Sequence, residues 1–236
     1  MTDVACDVRG LRKTFGERLA IENLSFTVDR GEVLALVGAN GSGKSTTLNC
    51  LAGLLDPDAG YIKVGGELLR PRKDQPTYRA RIAFAPDEPA LYDDLTVRQQ
   101  AGFVAGAWGA TGWEQWFDDL MDRFGLADRV DEMPVGFSRG MRQKCGLAFA
   151  FLHPAQLVLV DEPYSGLDAT GRAVFEDLIR AAPDTGAAII LATHALSSAA
   201  ELADQAIALH DGVVVGRGSP EDVVPLVAAD ADPGEV

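Results

Sequence analysis

One stretch of the sequence combines glycines, a lysine and a serine at a spacing that suits phosphate binding. Residues 38–45 read GANGSGKS and fit the pattern G-x-x-x-x-G-K-[ST] between a predicted strand and a predicted helix. Glycines let backbone N–H groups turn inward around phosphate oxygens. We expect Lys44 to reach the β- and γ-phosphates of a nucleotide and to act in catalysis, and Ser45 to ligate Mg²⁺. The predicted nucleotide-binding residues are Gly38, Ala39, Asn40, Gly41, Ser42, Gly43, Lys44, Ser45 and Thr46.

Two adjacent carboxylates follow a second apolar segment. Asp161 and Glu162 come directly after Leu157–Val160, which reads as a buried strand. Carboxylates at the end of a buried strand are costly unless an ion compensates for them. With a phosphate loop in the same sheet, we expect Asp161 to hold Mg²⁺ through water and Glu162 to activate an attacking water as general base. The alternative is a solvated strand end without a metal.

A histidine and a cluster of cations complete the set of candidate residues. His194 ends the apolar segment Ile189–Ala192 and is a candidate to contact a γ-phosphate, although a lone histidine is also compatible with a cap or a core role. Ser138 reads as the N-cap of a helix whose start carries Arg139, Arg142 and Lys144. Cations are unfavourable at this positive end of a helix unless an anion compensates or solvent surrounds them.

The elements that must position these residues alternate between strands and helices. Strands are predicted at 24–28, 32–37, 82–85, 157–160 and 187–192, with hairpins at 61–69 and 206–215. Helices are predicted at 44–55, within 96–125, from 138, at 168–182, at 196–203 and after Ser219-Pro220. The alternation predicts an α/β fold with a mainly parallel sheet and an inserted helical stretch at about 96–152. Residues 1–228 are expected to form one domain, and residues 229–236 to be disordered.

The composition is that of a soluble globular protein. The chain has 236 residues, 47% hydrophobic and 24% charged, with a formal net charge of -14. This acidity argues against a broad nucleic-acid surface, so no nucleic-acid partner is expected. Three scattered cysteines suit a reducing compartment, the N-terminus lacks a signal-peptide pattern, and the longest apolar run is far too short to span a membrane. We expect a cytoplasmic protein.

Taken together, the motifs resemble those of the ATP-binding subunit of an ABC transporter, in the family's order and over about Val4–Val224. Residues 38–45 correspond to its Walker A loop, and 157–162 to its Walker B strand with the catalytic glutamate. Residues 165–168 resemble the D-loop, and His194 resembles the switch histidine. The aromatic that stacks on adenine would be Phe15, for which core packing is the alternative.

The resemblance implies a P-loop NTPase core, an N-terminal antiparallel β subdomain and an inserted α-helical subdomain. It implies ATP and Mg²⁺ as cofactors, a transmembrane permease subunit and a second ATP-binding subunit, identical or different. The protein would then lie peripherally on the inner face of the cell membrane. Ser138 and Gly140 would meet the γ-phosphate of the other subunit's ATP, where the nearby cations become favourable. The alternative for these cations is that they are solvated helix residues.

Two departures from the family pattern stand out. Residues 137–141 read FSRGM where the family has Leu-Ser-Gly-Gly-Gln, so Arg139 replaces a glycine and Met141 a glutamine. Asp87 stands where the family usually has a glutamine that touches Mg²⁺. Both features resemble the group of exporters for drugs, antibiotics, polysaccharides or lipids. We expect Asp87 to contact the metal through water; the alternative is an aspartate that caps the following turn.

The leading interpretation is an ATPase that drives a membrane transporter through a separate transmembrane partner. Residues 89–109, with Tyr92, Phe103 and Trp108, are a candidate docking surface, and core packing is the alternative for each aromatic residue. Two other functions are considered: a soluble ABC-type ATPase of DNA repair or translation, and a nucleotide-binding regulator that does not hydrolyse ATP. The presence of Glu162 and His194 counts against the regulator.

Overall fold

The computed structural model describes residues 3–69 and 75–228. The strands are β1 (Val4–Phe15), β2 (Arg18–Asp29), β3 (Val33–Val37), β4 (Ala59–Val64), β5 (Glu67–Leu68), β6 (Ile82–Ala85), β7 (Leu157–Asp161), β8 (Ala188–Thr193), β9 (Gln205–His210) and β10 (Val213–Gly218). The helices are α1 (Lys44–Leu51), α2 (Pro76–Arg79), α3 (Val97–Trp108), α4 (Trp113–Arg123), α5 (Arg139–Ala150), α6 (Ala169–Arg180), α7 (Ala182–Thr185), α8 (Leu196–Leu202) and α9 (Pro220–Ala228). Short 3₁₀ turns lie at Ala127–Arg129 and Pro134–Gly136.

The strands form two sheets. The first has the order β2-β1-β4-β5 and is antiparallel throughout. The second has the order β10-β9-β3-β8-β7-β6; its pairs are parallel except the edge pair β9–β10. The predicted fold class is therefore confirmed: a mainly parallel core sheet with an N-terminal antiparallel part.

Both faces of the parallel sheet are buried, as its uninterrupted apolar strands require. Along β7, Val158 and Val160 face a core that they share with the inserted helices, whereas Leu157 and Leu159 face α1 and the antiparallel sheet. Helices α3, α4 and α5 pack against one another within the predicted insertion. None of the helices in the described residues has the length and apolarity needed to cross a bilayer.

Parallel pairing brings three strand ends together. Val37 at the end of β3 lies beside Thr193 at the end of β8, and Ala192 lies beside Asp161 at the end of β7. The loop after β3, the carboxylates after β7 and the histidine after β8 therefore meet at one edge of the sheet. This is the edge at which open α/β sheets bind ligands.

Some predicted elements differ from the structure. Strand β1 was not predicted, because register shifts after Val8 interrupt the alternation of buried positions. Helix α1 stops before residue 55, since Gly53 adopts a left-handed backbone with a φ of 69°. The helix predicted at 168–182 divides into α6 and α7, because Pro183 has no N–H to continue the helical ladder. The tail at 229–236 lies outside the described residues.

Candidate active site

The glycine-rich loop joins the buried strand β3 to helix α1, as predicted. A Cβ on Gly38 would lie 2.3 Å from the carbonyl oxygen of Leu209, and one on Gly43 would lie 2.4 Å from that of Ala20. Their φ angles, 152° and 106°, are also ones that other residues rarely adopt. The first and last glycines of the loop are therefore required by close backbone contacts. The loop leads directly to the N-terminus of α1, which favours an anion.

Lys44 is buried at the centre of the loop. Its Nζ donates to the carbonyl oxygens of Gly38 at 2.7 Å and Ala39 at 3.2 Å, and lies 3.4 Å from Oε1 of Glu162. The side chain is therefore held across the loop, and its charge is balanced by the carboxylate of Glu162, the candidate general base. A phosphate oxygen placed in the loop would compete with these acceptors for the ammonium group.

An open cavity of about 310 Å³ lies beside the loop. Most predicted residues that line it come from the loop, and Phe15, Asp87 and Glu162 join them; the full lining is Phe15, Arg18, Ala20, Asn40, Gly41, Gly43, Lys44, Ser45, Thr46, Asp87 and Glu162. Phe15 is 49% exposed, so core packing is the wrong interpretation of this residue. Its ring is available to stack on a planar ligand in the cavity.

Arg18 is a lining residue that sequence reasoning missed. It begins β2, directly after the turn that follows Phe15, and its Nη2 would lie 3.3 Å from a Cβ built on Gly41. The only signal in the sequence was a cation close to the candidate aromatic residue. The hairpin of β1 and β2 brings that cation to the rim of the phosphate loop, where it adds positive charge.

Asp161 has the features expected of a metal ligand. The residue is buried, and its Oδ1 has no hydrogen-bond partner among the described residues. Burial raises the pKa of its carboxyl from 3.8 to about 6, against a hydrogen bond with Ser45, and the charges of Glu162 and Asp87 raise it further. A divalent cation would satisfy the unpaired oxygen and offset the buried charge. Ser45 and Asp161 thus fit Mg²⁺, which is bound through one or two carboxylates together with phosphates and needs no larger cage.

We expect the raised pKa of Asp161 to make the protein without nucleotide less stable as the pH rises from 4 to 6. The folded protein holds this proton more tightly than the unfolded chain, so the favourable contribution is complete below pH 3.8 and is lost through about pH 6. Its size is on the order of 2 kcal/mol. Urea unfolding of wild type and Asp161→Asn across this range measures it, because the difference between the two isolates this group. If the difference in unfolding free energy between the two proteins does not change with pH, the pKa of Asp161 is not raised. Mg²⁺ with a nucleotide should reduce the loss of stability between pH 4 and 6.

Glu162 is fixed in an unusual conformation beside the cavity. Its φ is 45°, a left-handed value that costs of order 1–3 kcal/mol for a residue with a side chain. Its Oε2 accepts from the backbone N–H of His194 at 3.2 Å and lies 2.8 Å from Nδ1 of the same residue. The structure therefore joins the predicted base and the predicted switch histidine. His194 is exposed, so a core role for it is the wrong interpretation.

The segment around Ser138 lies apart from the loop's cavity. Ser138 is the N-cap of α5, as predicted, and its Oγ accepts from the N–H of Met141 at 3.3 Å. A Cβ on Gly140 would lie 2.2 Å from the carbonyl oxygen of Gly166, so this position must be glycine for α5 to pack on residues 165–168. Neither Ser138 nor Gly140 is among the described residues that line the cavity. Ser138 is exposed on the surface.

The three cations of α5 are paired with acidic or carbonyl groups of the same chain. Arg139 Nη2 donates to Asp87 Oδ1 at 3.0 Å. Arg142 donates to the carbonyl of Pro134 at 3.0 Å and lies 3.4 Å from Asp93. Lys144 is buried, so the alternative of a solvated helix residue is wrong for it. Its Nζ donates to the carbonyl of Phe124 at 2.9 Å and to Asp168 at 3.0 Å.

Comparison with known proteins agrees with this geometry. Residues 21–165 match the model of the family described as "ABC transporter". The ABC-type transporter ATP-binding protein EcsA of Bacillus subtilis is 33% identical over 90% of this chain and 86% of its own length. The Nod factor export ATP-binding protein I of Bradyrhizobium diazoefficiens is 32% identical over 95% of this chain and 73% of its own. A solved structure titled "Structure of ATP binding subunit of ABC transporter" superposes with a TM-score of 0.86 at 33% identity, over 97% of this chain and 95% of that one.

The family match covers the phosphate loop, Asp161, Glu162 and the strands that position them. No observation favours the soluble repair or translation ATPase or the non-hydrolysing regulator. The chain belongs to the ABC transporter family, as an ATP-binding subunit that hydrolyses ATP to power a membrane transporter.

Proposed function

We propose that this chain is the ATPase of an exporter and that Glu162 is its general base. The observation that carries the catalytic part is the position of the Glu162 carboxylate, with Oε1 at 3.4 Å from Lys44 and Oε2 at 2.8 Å from His194. The carboxylate thus lies between Lys44 of the phosphate loop and His194. A carboxylate there accepts a proton from a water that attacks the γ-phosphorus, and ADP and inorganic phosphate leave.

Lys44 and His194 prepare this step. Phosphate oxygens in the loop take up the donors of Lys44, which weakens the contact of the ammonium with Glu162 and leaves the carboxylate available to the attacking water. His194 keeps Oε2 oriented through its backbone N–H and its ring. Ser45 and Asp161 would hold Mg²⁺, which would supply charge neutralisation on the phosphates. Phe15 stacks on the adenine at the other end of the cavity.

A second ATP-binding subunit completes the site in this proposal. Ser138 is exposed, caps α5 and lies outside the cavity of its own chain. The hydroxyl that accepts from Met141 retains its own proton to donate to an anion. The N-terminus of α5, with Ser138 and Gly140, therefore suits the γ-phosphate bound by a facing subunit.

The partner in the membrane is a permease subunit that docks beside α3. An apolar groove of about 290 Å³ lies between β6, α3 and the end of α5, with Leu54, Phe84 and Trp108 in its walls. Tyr92, Phe103 and Trp108 are 57%, 62% and 38% exposed, so core packing is the wrong interpretation of all three. Exposed apolar surface of this kind marks interaction sites. A peripheral position on the cytoplasmic face of the membrane follows from this docking.

Phe103→Glu tests the docking surface. We expect it to keep the fold and the ATP affinity, because the side chain is exposed, and to lower co-sedimentation with membranes of the source cells at least tenfold. Val215→Glu is the matched control: this valine is 48% exposed on β10, at the opposite edge of the sheet from β6. If Phe103→Glu sediments with membranes as wild type does, this surface is not the docking site.

The direction of transport rests on the relatives and on the two departures from the family pattern. The Nod factor protein is named for export, and the residues at 87, 139 and 141 resemble the exporter group. The substrate is selected by the permease, so it is not encoded in this chain.

A further inference from the structure

Two of the three positions at which the chain departs from the family pattern, Asp87 and Arg139, are in direct contact. Arg139, which stands in the place of a glycine, donates from Nη2 to Oδ1 of Asp87, which stands in the place of a glutamine, at 3.0 Å. They are 52 residues apart in the sequence. Asp87 follows β6 in the core, and Arg139 begins α5 in the helical insertion. The ion pair therefore ties the start of α5 to the edge of the nucleotide cavity.

Asp87 also faces the region expected to hold the metal. It lines the cavity with Ser45 and Glu162, and its charge contributes to the raised pKa of Asp161. Three carboxylates, Asp87, Asp161 and Glu162, thus lie near one another, with Lys44 as the buried cation between the loop and Glu162. A triphosphate placed there would meet further negative charge at Asp87 unless a cation neutralises it.

Another link between α5 and the core is formed by a buried lysine. Lys144 is only 8% exposed and has two acceptors, Asp168 and the carbonyl of Phe124. Removing this lysine from its acceptors would leave a buried charge unpaired, so the link is fixed. By contrast, the side chains of Arg139 and Asp87 are 58% and 40% exposed. An exposed pair of this type is weak and exchanges its partners readily.

We propose that Arg139 is a positioning residue that competes with nucleotide-bound Mg²⁺ for the carboxylate of Asp87. This inference rests on the proposed placement of Mg²⁺ beside Ser45 and Asp161. Arg139 neutralises Asp87 when no metal is near and releases it to the metal's coordination sphere when Mg²⁺ enters with ATP. Release of Arg139 removes the ion-pair link between the start of α5 and the cavity edge, and leaves the packing of Gly140 on Gly166 as the remaining contact there. Metal binding in the core is thereby linked to the segment that faces the second subunit.

The test measures binding of the non-hydrolysable analogue AMP-PNP by titration calorimetry, once with Mg²⁺ and once with EDTA. For each variant, the ratio of the Kd in EDTA to the Kd in Mg²⁺ is compared with wild type. Arg139→Gln should raise this ratio about fivefold, near the upper limit for an exposed ion pair, since Asp87 then repels the bare nucleotide and is free for the metal. Arg139→Lys should keep the ratio within about twofold of wild type.

The decisive variant is the double substitution. In an Asp87→Asn background, Arg139→Gln should leave the ratio unchanged, because its effect acts through the carboxylate. Arg123→Gln is the matched control, since it breaks a comparably exposed pair with Asp177 between α4 and α6. The inference is overturned if Arg139→Gln leaves the ratio unchanged in the otherwise wild-type protein. It is also overturned if Arg139→Gln shifts the ratio equally in the wild-type and the Asp87→Asn backgrounds. If wild type shows no Mg²⁺ dependence at all, the proposed metal site fails together with it.

Discussion

Lys44→Ala should abolish ATP turnover and weaken ATP binding. The ammonium group is the buried cation of the phosphate loop and lies within reach of both the loop carbonyls and Glu162. Without it, the charge on the β- and γ-phosphates is left uncompensated, and Glu162 adds to the repulsion. Loss of one such group from a preorganised site typically costs about 10²–10³ in rate. Release of inorganic phosphate and the Kd for ATP measure the two effects.

The control for this change is Lys63→Ala, which removes an exposed lysine on β4 whose charge sits over the ring of Tyr61. It should leave both quantities within about twofold of wild type, as expected for a surface substitution. Thermal unfolding of both variants checks that the fold is kept. Near-normal hydrolysis by Lys44→Ala would refute the role of the loop.

Glu162→Gln should bind ATP normally yet hydrolyse it about 10²–10⁴-fold more slowly. The amide keeps the shape of the side chain and its contact with the His194 N–H, but it cannot accept the proton of the attacking water. Because ATP then persists in the site, the variant should accumulate as an ATP-bound pair of subunits, visible by size-exclusion chromatography.

Glu114→Gln, in the first turn of α4, removes the same charge away from the cavity and serves as the control. Turnover by Glu162→Gln equal to that of wild type would show that another group is the base. A variant that is catalytically dead but remains monomeric with ATP would argue against pairing of this chain with itself in the absence of the membrane partner.

The meeting of the candidate catalytic residues at one edge of the sheet was predictable because each follows a strand of the same parallel sheet. The loop follows β3, the carboxylates end β7 and follow it, and His194 follows β8. Once the pattern predicts parallel strands, their carboxyl ends must share an edge. Local spacing and one topological rule were therefore enough to predict that four residues lie close together: Lys44, Asp161, Glu162 and His194.

The partners of the α5 cations were not predictable in this way. Arg139, Arg142 and Lys144 pair with acids that are 52, 49 and 24 residues away. Such contacts depend on how the helical insertion packs on the core, and periodicity in the sequence carries no information on that packing. The sequence raised the question of what compensates these cations, and the structure answers it with carboxylates of the same chain.

The strained backbone at Glu162 could not be predicted from the sequence either. Its φ of 45° is set by the way the chain leaves β7 while its N–H donates to the carbonyl of Ala192 on β8 at 2.8 Å. Nothing about a glutamate after an apolar strand predicts a left-handed conformation. The cost is consistent with a side chain held in place for a chemical role, since strain of this kind concentrates at functional sites.

A crystal structure of the Glu162→Gln variant with Mg²⁺ and ATP tests the central claim most directly, because it locates the nucleotide relative to the residues assigned here. We expect the triphosphate in the loop of residues 38–46, Mg²⁺ against Ser45 with Asp161 nearby, the adenine on Phe15, and the γ-phosphate beside residue 162. A triphosphate bound outside this loop, or a γ-phosphate remote from residue 162, would contradict it.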